Sequence, residues 1–89
     1  MIKNIYTVRD NVSQELVGGL IMEPSDPPAM RAFYDALRTK NSLLAEHPAD
    51  FDLLKIGTID TTTGELEADN VLTIATGNGW LEIQKGLAQ

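Results

Sequence analysis

Three prolines within five residues, in Glu23-Pro24-Ser25-Asp26-Pro27-Pro28, cut this chain into two parts. Each proline fixes φ and removes a backbone donor, so no strand or helix interior runs through the segment. One element must stop there and another must start. Asp26 stands where a side chain can cap the first free N–H groups of a helix. Pro27 would follow at the first helical position, where its missing donor costs nothing. Met30, Phe33, Tyr34 and Leu37 then recur at i, i+3, i+4 and i+7 as one apolar stripe, with Arg31, Asp35 and Arg38 off it. The spacing predicts a helix from about Pro27 to about Lys40, extending at most to Leu44. It must end before His47-Pro48, because the residue preceding proline avoids helical geometry.

Strands are predicted on either side. From Met1 to Arg9, Ile2, Asn4, Tyr6 and Val8 alternate with Lys3, Ile5, Thr7 and Arg9, which gives a strand with two distinct faces. Asp10-Asn11 reads as a turn, and Glu15 to Met22 as the second arm of a hairpin, with Gly18-Gly19 marking a bulge. Phe51 to Asp60 is a third strand, with Gly57 as a second bulge position. Asp60-Thr61-Thr62-Thr63-Gly64-Glu65 is a hairpin turn with Gly64 left-handed. A returning strand through Leu66 and Ala68 carries Glu65, Glu67 and Asp69 on a wet face. Val71 to Thr76 is a further strand, and Gly77-Asn78-Gly79 a second tight turn. Trp80 to Gln89 fits a strand through Leu81 and Ile83, or a short helix through Trp80, Ile83 and Leu87. The order β-β-α-β-β-β predicts an α+β fold, a small antiparallel sheet with one covering α-helix.

The chain's 89 residues are expected to form a single domain over 1–89 with a thin core and no disulfide, since there is no cysteine. A thin core favours a homodimer or higher homo-oligomer, and residues 71–89 are the candidate oligomerisation segment. No apolar run approaches the ~20 residues of a membrane span, so no membrane association is expected. Met1-Ile2-Lys3-Asn4 does not lead into an apolar stretch, so no signal peptide is expected either. The formal net charge is −6. It is unevenly distributed. Lys3, Arg9, Arg31, Arg38 and Lys40 balance five carboxylates in residues 1–40, while only Lys55 and Lys85 face eight carboxylates in residues 41–89.

No residue set supports catalysis. His47, the only histidine, lies near Glu46, Asp50 and Asp52 without a recognised metal-ligand spacing, so no metal or cofactor is expected. Asp60, Glu65, Glu67 and Asp69 border a hairpin and read as a solvated edge. Gly77-Asn78-Gly79 lacks the lysine of a phosphate loop. Ser13, Ser25 and Ser42 have no assignable base. The chain is expected not to be an enzyme.

Binding is better supported. Lys3, Thr7 and Arg9 share one strand face, Lys55 would extend it from the third strand, and Trp80 is the aromatic expected nearest a surface. These five residues are the candidate single-stranded DNA contacts, cations for phosphates and a ring for stacking.

The stretch Ile5-Tyr6-Thr7-Val8-Arg9-Asp10 resembles the opening of a small nonstructural protein of gokushovirus-type microviruses, tailless phages with single-stranded DNA genomes. The segment Asp50-Phe51-Asp52-Leu53-Leu54-Lys55-Ile56-Gly57-Thr58-Ile59-Asp60-Thr61-Thr62-Thr63-Gly64-Glu65 is similar to that family's second block. Arg31-Ala32-Phe33 is similar to its basic-aromatic helix core. The likeness spans roughly residues 3 to 68 and rests on order and spacing. It implies DNA binding in the host cytoplasm, at the switch to single-stranded genome synthesis and packaging. The alternative is a non-catalytic adaptor that contacts a phage replication or capsid protein and never touches DNA. The net charge favours the adaptor.

Overall fold

The structure, a computed structural model, describes residues 1–88. Strands β1 (Ile2–Asp10) and β2 (Glu15–Glu23) form a hairpin that runs into helix α1 (Asp26–Arg38). A short helix α2 (Leu43–Glu46) and a 3-10 turn (Pro48–Asp50) lead to β3 (Phe51–Asp60), β4 (Leu66–Thr76) and helix α3 (Gly77–Ala88). The four strands make one antiparallel sheet in the order β2-β1-β3-β4. This is the α+β class that the sequence predicts, with α1 covering one face.

That covered face holds the main core. Tyr6, Phe51, Leu53 and Ala75 of the sheet meet Ala29, Phe33 and Leu37 of α1, all buried, with Val8, Val17, Ile21, Met30, Tyr34, Leu44 and Trp80 packed around them. The stripe read from the sequence therefore supplies the sheet-facing side of α1. Asp26 does not cap the helix. Ser25 occupies the cap position without a side-chain bond, and the Asp26 carboxylate instead accepts the Tyr6 hydroxyl at 2.5 Å. Asn4 Nδ2 donates to the same hydroxyl oxygen at 2.9 Å, which ties β1 to the start of α1.

Both outer strands are bulged. Between the pairs Tyr6↔Ile21 and Val8↔Val17, the residues Gly18, Gly19 and Leu20 stand opposite Thr7 alone, with Gly18 at φ +73°. Between Gly57↔Ala68 and Lys55↔Leu72, the residues Asp69, Asn70 and Val71 stand opposite Ile56 alone. The second bulge corrects the sequence reading. The two strands predicted around Leu66 and Val71 are one strand that is kinked, not broken. Gly57 is required in β3, because a Cβ there would collide with the Glu67 carbonyl oxygen. Gly64 takes the left-handed conformation that the turn demands, at φ +82°.

The C-terminal segment also differs from the expected tight turn. Gly77-Asn78-Gly79 is the first turn of α3, and Thr76 is the reason. Its hydroxyl oxygen accepts the Gly79 N–H at 2.8 Å, which satisfies a donor that a helix start leaves free. Gly77 lies so close to the Pro48 carbonyl that a Cβ would collide with it, so only glycine lets α3 seat on the 3-10 turn.

Candidate functional site

Residues directly opposite in an antiparallel pair project from the same face, so the register sorts the sheet into two sides. Tyr6 and Val8, with their partners Ile21, Val17 and Leu53, belong to the covered side. On the other side four rows cross the strands. Lys3, Ile59 and Leu66 form the first row; Met22, Ile5, Gly57 and Ala68 the second; Thr7, Leu54 and Thr73 the third; Leu16, Arg9, Asp52 and Thr76 the fourth. The apolar helix residues of the core cluster gather with Tyr6, and none is grouped with Ile5 or Leu54. The second side is uncovered.

This face is aliphatic. Ile5 and Leu54 are buried, while Leu20 is 65% and Leu66 67% exposed, and Leu16 and Met22 are also exposed. A shallow hollow of about 210 Å³ opens between Ile5, Leu20, Ile56, Gly57, Leu66 and Ala68, with Glu67 also in its lining. Small residues in the second row, Gly57 and Ala68, make the hollow. Lys3 and Arg9 sit at opposite ends of β1, about 20 Å apart at the usual strand rise. Asp52, paired with Arg9 and hydrogen-bonded by Asn11 Nδ2 at 3.1 Å, is the one carboxylate in the four rows.

The structure divides the five sequence-predicted contacts. Lys3 and Arg9 share the uncovered face and are half-buried. Thr7 is on that face but only 2% exposed, with its hydroxyl donating to the Gly19 carbonyl at 3.4 Å, so it presents nothing to a ligand. Lys55 is opposite Tyr6 and so belongs to the covered side. The bulge at Ile56, between the pairs Ile5↔Gly57 and Tyr6↔Lys55, shifts the alternation of β3 by one residue, which is why Lys55 does not extend the Lys3–Arg9 surface. Trp80 is half-buried against the core on the covered side, with its Nε1 buried and unpaired among the described residues. All five aromatics, Tyr6, Phe33, Tyr34, Phe51 and Trp80, pack on that side.

The acidic residues lie elsewhere. Glu15, Glu23, Glu67 and Asp60 pair with residues of the covered side, through Asp10, Asn4, Thr58 and Ile2. The Thr62 backbone N–H, bonded at 2.9 Å, holds the Asp60 carboxyl below its usual range, helped by the Met1 ammonium at 3.7 Å. His47 is exposed, and among the described residues no three His, Asp or Glu side chains are grouped as a metal site. No described helix is long and apolar enough to cross a membrane. What sequence reasoning missed is the aliphatic set Leu16, Leu20, Met22 and Leu66. Its signal was present in the alternation of Ile5 with Tyr6, which puts apolar residues on both faces of a sheet that has one covering helix.

Fold and surface thus define a small helix-backed α+β sheet protein with one open apolar face. The sequence profile described as "Phage ORF5 protein" matches residues 3–78. The chain belongs to that family and is a bacteriophage protein. No curated protein matches it significantly, and neither does any solved structure.

Proposed function

We propose that this phage protein is a non-catalytic adaptor that works through protein contact, serving genome replication or packaging as its resemblance to microvirus nonstructural proteins implies. The observation that carries this reading is the make-up of the uncovered face. It presents exposed aliphatic side chains from the two outer strands, Leu16, Leu20 and Met22 of β2 and Leu66 of β4, and no aromatic ring. Single-strand binders need rings on which bases can stack and a groove of cations that tracks the backbone. This face offers two cations about 20 Å apart, with a carboxylate beside one of them.

A second reading, binding of single-stranded DNA, is favoured by one observation. Lys3 and Arg9 stand on the face from which nearly all the strand carboxylates are turned away. Fluorescence anisotropy with a labelled oligonucleotide, repeated at several salt concentrations, separates the two. The adaptor reading expects no saturable binding even at low salt. The DNA reading expects binding whose salt slope falls by about 1.4 per protomer in Lys3→Ala/Arg9→Ala, at about 0.7 for each lost phosphate contact. That second outcome would replace the adaptor reading.

A further inference from the structure

We propose that the occupant of the uncovered face is a second copy of this chain, packed face to face about a two-fold axis that runs parallel to the strands between β1 and β3. The inference rests on the reading of this face as a protein-binding surface, and it names the partner. A two-fold in that position lays β1 over β3 of the other copy and β2 over β4. The rows then become self-complementary. Met22 faces Ala68, large over small, beside the hollow whose floor is formed by the buried Ile5 and Gly57. Leu16 faces Thr76, again a small residue to a large one, while Thr7 and Leu54 are already buried within each copy. In the last row Arg9 meets Asp52 of the other copy, and symmetry repeats the pair on the opposite side of the axis.

Size agrees with this pairing. Four strands about 4.8 Å apart and about nine residues long, at about 3.3 Å per residue, present a face of roughly 19 by 30 Å. Its projected area of roughly 570 Å² is that of a small, reversible interface, below the ~800 Å² per partner of a standard one. The edges argue against the competing arrangement. An edge-to-edge dimer needs a straight outer strand, and both outer strands are interrupted by bulges of three residues against one. The charge pattern selects the axis as well. Turning the second copy end for end would set Lys3 over Arg9 and oppose like charges.

The test is the solution mass across the micromolar range, by light scattering or sedimentation, on the full chain and three variants. The parent is expected at about twice 9.7 kDa. Leu20→Asp, at a position already exposed in one copy, is expected at 9.7 kDa with an unchanged far-UV spectrum. Arg9→Asp should weaken association by about thirtyfold or more, and Arg9→Asp/Asp52→Arg should restore it to within about threefold. A parent that stays at 9.7 kDa, or a Leu20→Asp variant that stays dimeric, overturns the proposal. So does a double variant no tighter than Arg9→Asp alone. A monomeric parent that still binds no oligonucleotide removes the second copy as occupant and leaves the adaptor reading standing. Oligonucleotide binding removes the adaptor reading itself.

Discussion

Tyr6 shows how one side chain joins three parts of the molecule. Its ring fills the centre of the covered core, and its hydroxyl, reached by Asn4 Nδ2, donates to the Asp26 carboxylate at the start of α1. Burial raises its pKa above the ordinary value of 10.0, and the hydrogen bond to Asp26 adds to the rise. The folded state thus holds this proton more tightly than the unfolded chain does. The stability contributed by the bond is present in full below about pH 10, and it is lost as pH rises through the folded value. Tyr6→Phe should cost about 1–2 kcal/mol at neutral pH, because the Asp26 and Asn4 groups lose their partner. Urea denaturation of parent and variant at neutral and strongly alkaline pH checks both statements. The gap between them should narrow above pH 10; a constant gap would mean that the hydroxyl is not ionising from a bonded site.

At the scale of elements, the parts legible in the sequence were those with a strong local signal. The proline cluster and the Met30, Phe33, Tyr34, Leu37 spacing locate α1, and the alternation through Ile5 and Tyr6 sorts the faces of β1. Phe51–Asp60 matches β3 in both limits. What was not legible depends on pieces distant in sequence. Gly77-Asn78-Gly79 has the composition of a turn, and only the fit of Gly77 against Pro48 together with the Thr76 cap makes it a helix start. The extra residue Ile56 in the pairing of β3 with β1 likewise moved Lys55 off the candidate face, a shift that no local pattern in the sequence signals. Thr76→Ala should therefore cost about 1 kcal/mol through the lost cap. It should also loosen α3, shifting the emission of Trp80, the single tryptophan, to the red. An unchanged emission maximum and melting temperature would show that α3 is held by its packing alone.

For the whole molecule, the fold separates what the composition mixes. The net charge of −6 does not describe the uncovered face, where Lys3 and Arg9 stand with Asp52 amid aliphatic side chains. A sheet with apolar residues on both faces and one covering layer leaves its second face in water, and contiguous apolar surface of this kind marks interaction sites. The division of labour follows. One face, backed by α1 and holding every aromatic, maintains the fold; the other is the surface we propose for a partner. Hydroxyl-radical footprinting tests this most directly, because Met22 is an exposed and easily oxidised side chain in the second row of that face. Met22 oxidation should fall as protein concentration rises through the micromolar range, and added oligonucleotide should leave it unchanged. Oxidation that is independent of protein concentration but suppressed by oligonucleotide would contradict the account.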